Sequence, residues 1–157
     1  MAEWLKKPRS IRIVGEVPRR VEPVLEREHE IKQPKYLVAK MRAFADGLQP
    51  DLRETYYKNL LRSVDVPQSI KRHLQFLLGR HYVEQKKPDF ALKAFADSED
   101  RRRGAQILAK AGFHKQAAQL YEQAKAFYEA AFHYRAAGFE KHAGHLLRVA
   151  EEARNRK

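Results

Sequence analysis

Residues 111–124 read A-G-F-H-K-Q-A-A-Q-L-Y-E-Q-A, and residues 137–150 read A-G-F-E-K-H-A-G-H-L-L-R-V-A. Starting at Ala111 and Ala137, they set a period of 26, and seven of fourteen positions match: Ala, Gly, Phe, Lys, Ala, Leu and Ala. A fixed period of this length is the mark of a repeat architecture, so the rest of the chain is read against it. Counted from Gly112, Ala117, Tyr121 and Ala124 follow at +5, +9 and +12; counted from Gly138, Ala143, Leu147 and Ala150 follow at the same offsets. One period back stands Lys86, with Ala91, Phe95 and Ser98 behind it. The glycine is gone there, but the small–large–small rhythm persists.

The segment ahead of each anchor has a rhythm of its own. Leu78-Gly79-x-x-Tyr82 precedes Lys86, Gly104-Ala105 and Leu108 precede Gly112, and Ala130-Ala131 and Tyr134 precede Gly138. Each unit therefore reads as two short helices, with small residues letting backbones approach and large ones filling the gap between successive pairs. This pattern resembles the tetratricopeptide repeat, with its L-G-x-x-Y in the first helix and G…A…F/Y…A in the second. The resemblance covers residues 71–154 and is best at Leu78-Gly79-x-x-Tyr82 with Ala91 and Phe95. The family repeat is about 34 residues, so the shorter period here implies shorter helices, and the closing proline is absent. Other α-solenoids built from short helix pairs fit nearly as well, and an irregular bundle is the plain alternative.

Outside the repeat, proline and glycine punctuate helical stripes. Tyr36, Leu37, Met41, Phe44, Ala45 and Leu48 recur at helical spacing up to Gly47 and Pro50. Leu52, Tyr56, Leu60 and Leu61 form the next stripe, and Ile70, Leu74, Leu77, Leu78 and Tyr82 the one opened by Asp65 and Pro67. Pro88 starts a helix with Ala91, Ala94 and Phe95 inward, and Asp97-Ser98-Glu99-Asp100 offers cap oxygens for a helix from Arg101 to Ala111. Further helices are expected from about His114 to Ala124, Lys125 to Ala137 and Glu140 to Arg154. The expected fold is all-α, a short solenoid of antiparallel helix pairs. Residues 34–66 form a degenerate or capping pair, and 73–98, 99–124 and 125–150 form three repeats, enough to stack into one core. Residues 1–33 stand apart as an extended, basic, proline-containing arm. Ser10–Val17 is β-prone, Glu22–Glu30 could add a short acidic helix, and Trp4, Arg9, Ile11, Arg12 and Ile13 are candidate docking residues.

The formal net charge is +12, and residues 101–157 carry +7 of it. Such a balance attracts acidic partners: an acidic protein segment, nucleic acid or an anionic membrane surface. There is no cysteine, which excludes disulfides, thiolate zinc sites and a thiol nucleophile. No run approaches the 18 apolar residues of a membrane span. The basic start lacks an apolar stretch, so no secretory signal is expected; the expected compartment is the cytoplasm, with an organelle left open.

No nucleophile elbow, P-loop, H-E-x-x-H or suggestive carboxylate pair occurs, so no catalysis and no cofactor are expected. His142 and His145 are i, i+3 on one helix, but no carboxylate or thiol beside them in the sequence completes a metal site, so none is expected. In tetratricopeptide proteins the first helices of the pairs line a concave groove. The resemblance therefore implies a partner-binding surface of Phe76, Arg80 and Val83, then Arg102, Arg103, Gln106 and Lys110, then Lys125, Tyr128, Phe132 and Arg135. Guanidinium groups bind carboxylates bidentately and aromatics add apolar anchorage, so an acidic protein segment suits it. The function expected is that of an adaptor, scaffold or complex subunit without enzymatic activity. The alternative is an RNA-associated accessory subunit of a ribonucleoprotein particle, which rests on charge and interleaved aromatics. A peripheral membrane subunit is a weaker third reading.

Overall fold

The computed structural model describes residues 34–155. The arm at 1–33, with its candidate strand, acidic helix and docking residues, lies outside them. Among the described residues there are eight helices and no strand. They are α1 (Pro34–Asp46), α2 (Pro50–Arg62), α3 (Gln68–Glu84), α4 (Pro88–Ala96), α5 (Arg101–Lys110), α6 (His114–Gln123), α7 (Phe127–Ala136) and α8 (Glu140–Asn155). No described helix is long and apolar enough to cross a membrane. The described residues are all-α, and the chain forms two compact units divided within α3 between Leu74 and Gln75.

In the first unit α1 packs on α2, with the Phe44 and Tyr56 rings 5.1 Å apart. Pro50 opens α2, where its missing N–H costs nothing. One expectation is corrected here. Leu52 is 38% exposed, and Tyr57, at 2%, takes the inward place. The inward stripe is Arg53, Tyr56, Tyr57 and Leu60. Arg53 sits on it because its guanidinium closes the end of α1, Nε donating to the Ala45 carbonyl at 2.9 Å and Nη2 to that of Asp46 at 3.1 Å. A charged residue spent as a cap occupied a place that an apolar pattern could not reveal.

The second unit is more regular than its period alone requires. Helices α4 to α8 begin at 88, 101, 114, 127 and 140, so each start follows the last by the same half-period. Helices α5 to α8 pack in chain order, and α4 packs on both α5 and α6. The step is set by the turns. Lys86, Gly112, Lys125 and Gly138 all have positive φ, at 56°, 84°, 57° and 85°. Around each the same two backbone bonds close the helix. After α5, Phe113 N donates to the Leu108 carbonyl at 2.9 Å and Gly112 N to that of Ala109 at 3.0 Å. The pairs after α3, α6 and α7 are Lys87–Tyr82 with Lys86–Val83, Ala126–Tyr121 with Lys125–Glu122, and Phe139–Tyr134 with Gly138–Arg135. This is the Schellman closure, which needs a left-handed residue and prefers glycine there. The glycine-free copy at Lys86 thus keeps the backbone of the glycine copies. Lys125, expected to begin a helix, lies in a turn instead, and α7 starts at Phe127.

The α4–α5 junction closes by side chains. Ser98 Oγ donates to the Phe95 carbonyl at 2.7 Å, Arg101 Nε to that of Ala96 at 2.8 Å, and Asp100 Oδ1 accepts from Arg103 N at 3.0 Å. Above this junction sits Phe95, fully buried. A Cβ built on Gly79 would come within 2.7 Å of its ring and one on Gly104 within 2.6 Å, so both helices reach it only by lacking side chains.

Candidate interaction surface

The three arginines that open α5 have three different fates. Arg101 caps α4, as above. Arg103 lies over the Phe76 ring, its guanidinium 5.4 Å from the centroid, and Phe76 meets the Phe95 ring at 5.4 Å. Both therefore serve packing on the α3 side. Arg102 is exposed, and its charge, with that of Glu129 on α7, acts on the Tyr121 hydroxyl of α6. Burial raises the Tyr121 pKa, Glu129 raises it further, and Arg102 opposes them. Arg102 of α5 and Glu129 of α7 thus both act on one buried tyrosine of α6.

Helix α5 exposes Arg102, Gln106 and Lys110, and α7 exposes Tyr128, Phe132 and Arg135. Phe132 is 68% exposed and Tyr128, one turn earlier, 49%. Both are large to leave in water. Arg135 reaches across its turn to Glu140 Oε2 at 3.4 Å, an exposed pair worth little to stability. Arg80 and Val83 are half-buried on α3, and Lys125 is held in its turn. Of the residues expected to form one surface, Arg102, Gln106 and Lys110 lie exposed on α5, and Tyr128, Phe132 and Arg135 on α7. Phe76 and Arg103 are engaged with each other.

Beneath Phe132 lies a ring cluster that the sequence did not assemble. His133 meets Phe132 edge-on at 5.1 Å and lies parallel to Tyr121 at 5.4 Å. Its Nδ1 is 3.2 Å from Nδ1 of His114. Burial, then the neighbouring His114, hold the His133 pKa below its ordinary 6.5. His114 opens α6 and His133 lies in the last turn of α7, far apart in the chain, so only the helix packing brings them together.

A second polar cluster ties α6, α7 and α8. Glu122 Oε2 accepts from the Tyr134 hydroxyl at 2.9 Å and lies 3.2 Å from His142 Nε2. The carboxylate not found beside His142 in the sequence is thus supplied by α6. Burial first, then the hydrogen bond and the charge of Glu122, push the Tyr134 pKa well above its usual value. Among the described residues no three His, Asp or Glu side chains converge as metal ligands would. Glu129, His114 and Glu122 are the residues sequence reasoning missed; a half-period would have aligned the helices that carry them, though not their pairing. Comparison with protein-family models, with curated proteins and with solved structures finds no match to this chain.

Proposed function

We propose that this protein is a non-enzymatic adaptor or complex subunit, and that the α5–α7 face binds an acidic segment of a protein partner. In this reading the second unit is a short solenoid of antiparallel helix pairs resembling tetratricopeptide repeats, each pair being two equal helix-plus-turn steps. A cytoplasmic setting belongs to the same proposal. The observation that carries it is the exposure of two aromatics on α7, Tyr128 and Phe132, and of Arg102 and Lys110 on α5, cations for which the structure gives no carboxylate within salt-bridge distance among the described residues. Cations supply charge-assisted bonds to carboxylates, and half-exposed aromatics supply anchors whose burial a partner would complete. Glu129 in the same face sets a register, since a partner must place its own negative charge away from it.

The test is a pair of titrations of the full chain, one with labelled poly-aspartate and one with mixed-sequence single-stranded RNA, at matched ionic strength. Tighter binding of the acidic peptide is expected. Arg102→Glu should weaken it by about tenfold, the size of a loss of about 1.4 kcal/mol, with helicity unchanged. RNA binding that is tighter, and that falls steeply with salt, would replace this reading with the ribonucleoprotein one.

A further inference from the structure

The His114–His133 contact has a geometry that counts protons. The Nδ1 atoms are 3.2 Å apart, the ring centroids 5.4 Å apart, and the ring planes differ by 13°. The centroid separation is close to the nitrogen separation plus a ring radius at each end. The rings therefore meet edge to edge in nearly one plane, nitrogen facing nitrogen. A neutral ring donating Nδ1–H into the lone pair of the other satisfies both. With a proton on each Nδ1, two N–H donors would face each other and the contact would have to open.

Everything packed around the pair favours the state with fewer protons. The site is part-buried, and the N-terminus of α6 sets its positive dipole end at His114. Tyr121, whose ring lies parallel to that of His133, is acted on in opposite senses by Arg102 from α5 and Glu129 from α7. With the His133 pKa lowered, the neutral form is favoured in the fold. Its contribution to stability is present above pH 6.5 and is lost as pH falls below it. One of the two rings that would part, His133, also lies parallel to Tyr121 and meets Phe132 edge-on.

We propose that His114 and His133 form a one-proton clamp whose second protonation releases the Phe132 end of the α5–α7 face, so that acid loosens the hold on an acidic partner. The proposal rests on the reading of that face given above. Added positive charge alone would strengthen such binding, so the sign of the effect separates the clamp from simple electrostatics.

Ring-nitrogen NMR of the full chain between about pH 7.5 and about pH 5 tests the clamp without any partner, a blocked histidine peptide serving as the reference titration. Expected is a coupled step for His114 and His133 below the midpoint of the peptide, with the Phe132 and Tyr121 ring signals moving in that step. Independent midpoints equal to that of the peptide, or unmoved Phe132 and Tyr121 signals, overturn it. His114→Asn keeps a hydrogen-bonding group at the δ position, cannot take the proton, and should abolish the step while retaining helicity. Poly-aspartate affinity of the unmodified chain should fall about fivefold or more across the same range and stay level in His114→Asn. Affinity that rises with acid, or that changes alike in both proteins, overturns the switch. Poly-aspartate that binds at no pH, with the coupled NMR step intact, overturns the acidic-partner reading and leaves the clamp as a stability device only.

Discussion

Phe95 and Tyr121 occupy the same place in successive repeats, one full period apart, yet they are packed by different means. Phe95 is fully buried, and the helices on either side approach it with glycines, Gly79 and Gly104. Tyr121 has alanines at the corresponding positions, Ala105 and Ala130, and its ring lies against His133 while its hydroxyl feels Arg102 and Glu129. The first site is dry and closed. The second has a polar handle that links its core to the exposed face of α5 and α7. One repeat position thus serves stability in one copy and couples the core to a surface in the next.

The largest effect should come from emptying the dry site. Phe95→Ala should destabilise the protein by about 3–5 kcal/mol, the range for truncating a buried aromatic. Denaturant unfolding should show it as a shift of midpoint. Adding one methyl is the next largest change. Gly104→Ala sets a Cβ at 2.6 Å from the Phe95 ring and should cost about 1–3 kcal/mol, whereas Ala130→Gly beside Tyr121 should cost about 1 kcal/mol or less. Phe95→Leu in the Gly104→Ala background should recover part of the loss. Strict additivity of those two substitutions would mean that the glycine serves something other than the ring.

How much of this was written in the sequence follows the same division. Helix positions, the glycine anchors, the inward Ala91, Ala94 and Phe95, and a cap within Asp97-Ser98-Glu99-Asp100 were legible, because each depends on periodicity or on a residue type with a strong backbone preference; that Asp100 is the one that caps came from the structure. Lys125 was not legible as a turn, since lysine carries no turn signal; only its place midway between Gly112 and Gly138 marks it. The capping by Arg53 and Arg101 was not legible either, because nothing in a sequence says that a guanidinium will be spent on a helix end. On the candidate face the exposed positions followed from repeat register. The engagement of Arg103 with Phe76, of Arg135 with Glu140 and of His114 with His133 depends on side-chain reach between helices, which register alone does not give.

The turns carry the same contrast between copies at a smaller scale. Lys125→Gly and Lys86→Gly remove a left-handed non-glycine residue and should each stabilise the fold by about 1 kcal/mol, while Gly112→Ala should cost a similar amount. Thermal midpoints would read the pair of signs directly. If Lys125→Gly lowers the midpoint, the lysine side chain makes a contribution that offsets its backbone strain.

The smallest effect expected is also the most specific to Tyr121. Tyr121→Phe keeps the ring against His133 and removes only the hydroxyl on which Arg102 and Glu129 act, so near neutral pH its stability should change by no more than about 0.5 kcal/mol. Alkaline pH separates the two proteins. The Tyr121 pKa is raised from 10.0 in the fold, mainly by burial, so the unfolded chain loses this proton first as pH rises. The resulting contribution is fully present below pH 10 and is lost as pH climbs above it. Tyr134 and Tyr56 are raised too and decline in both proteins, so the readable quantity is the difference between the two stability curves. That difference should be level up to pH 10 and then narrow in favour of Tyr121→Phe. Parallel curves would place the Tyr121 hydroxyl in contact with water, and would remove the polar handle that sets this site apart from Phe95.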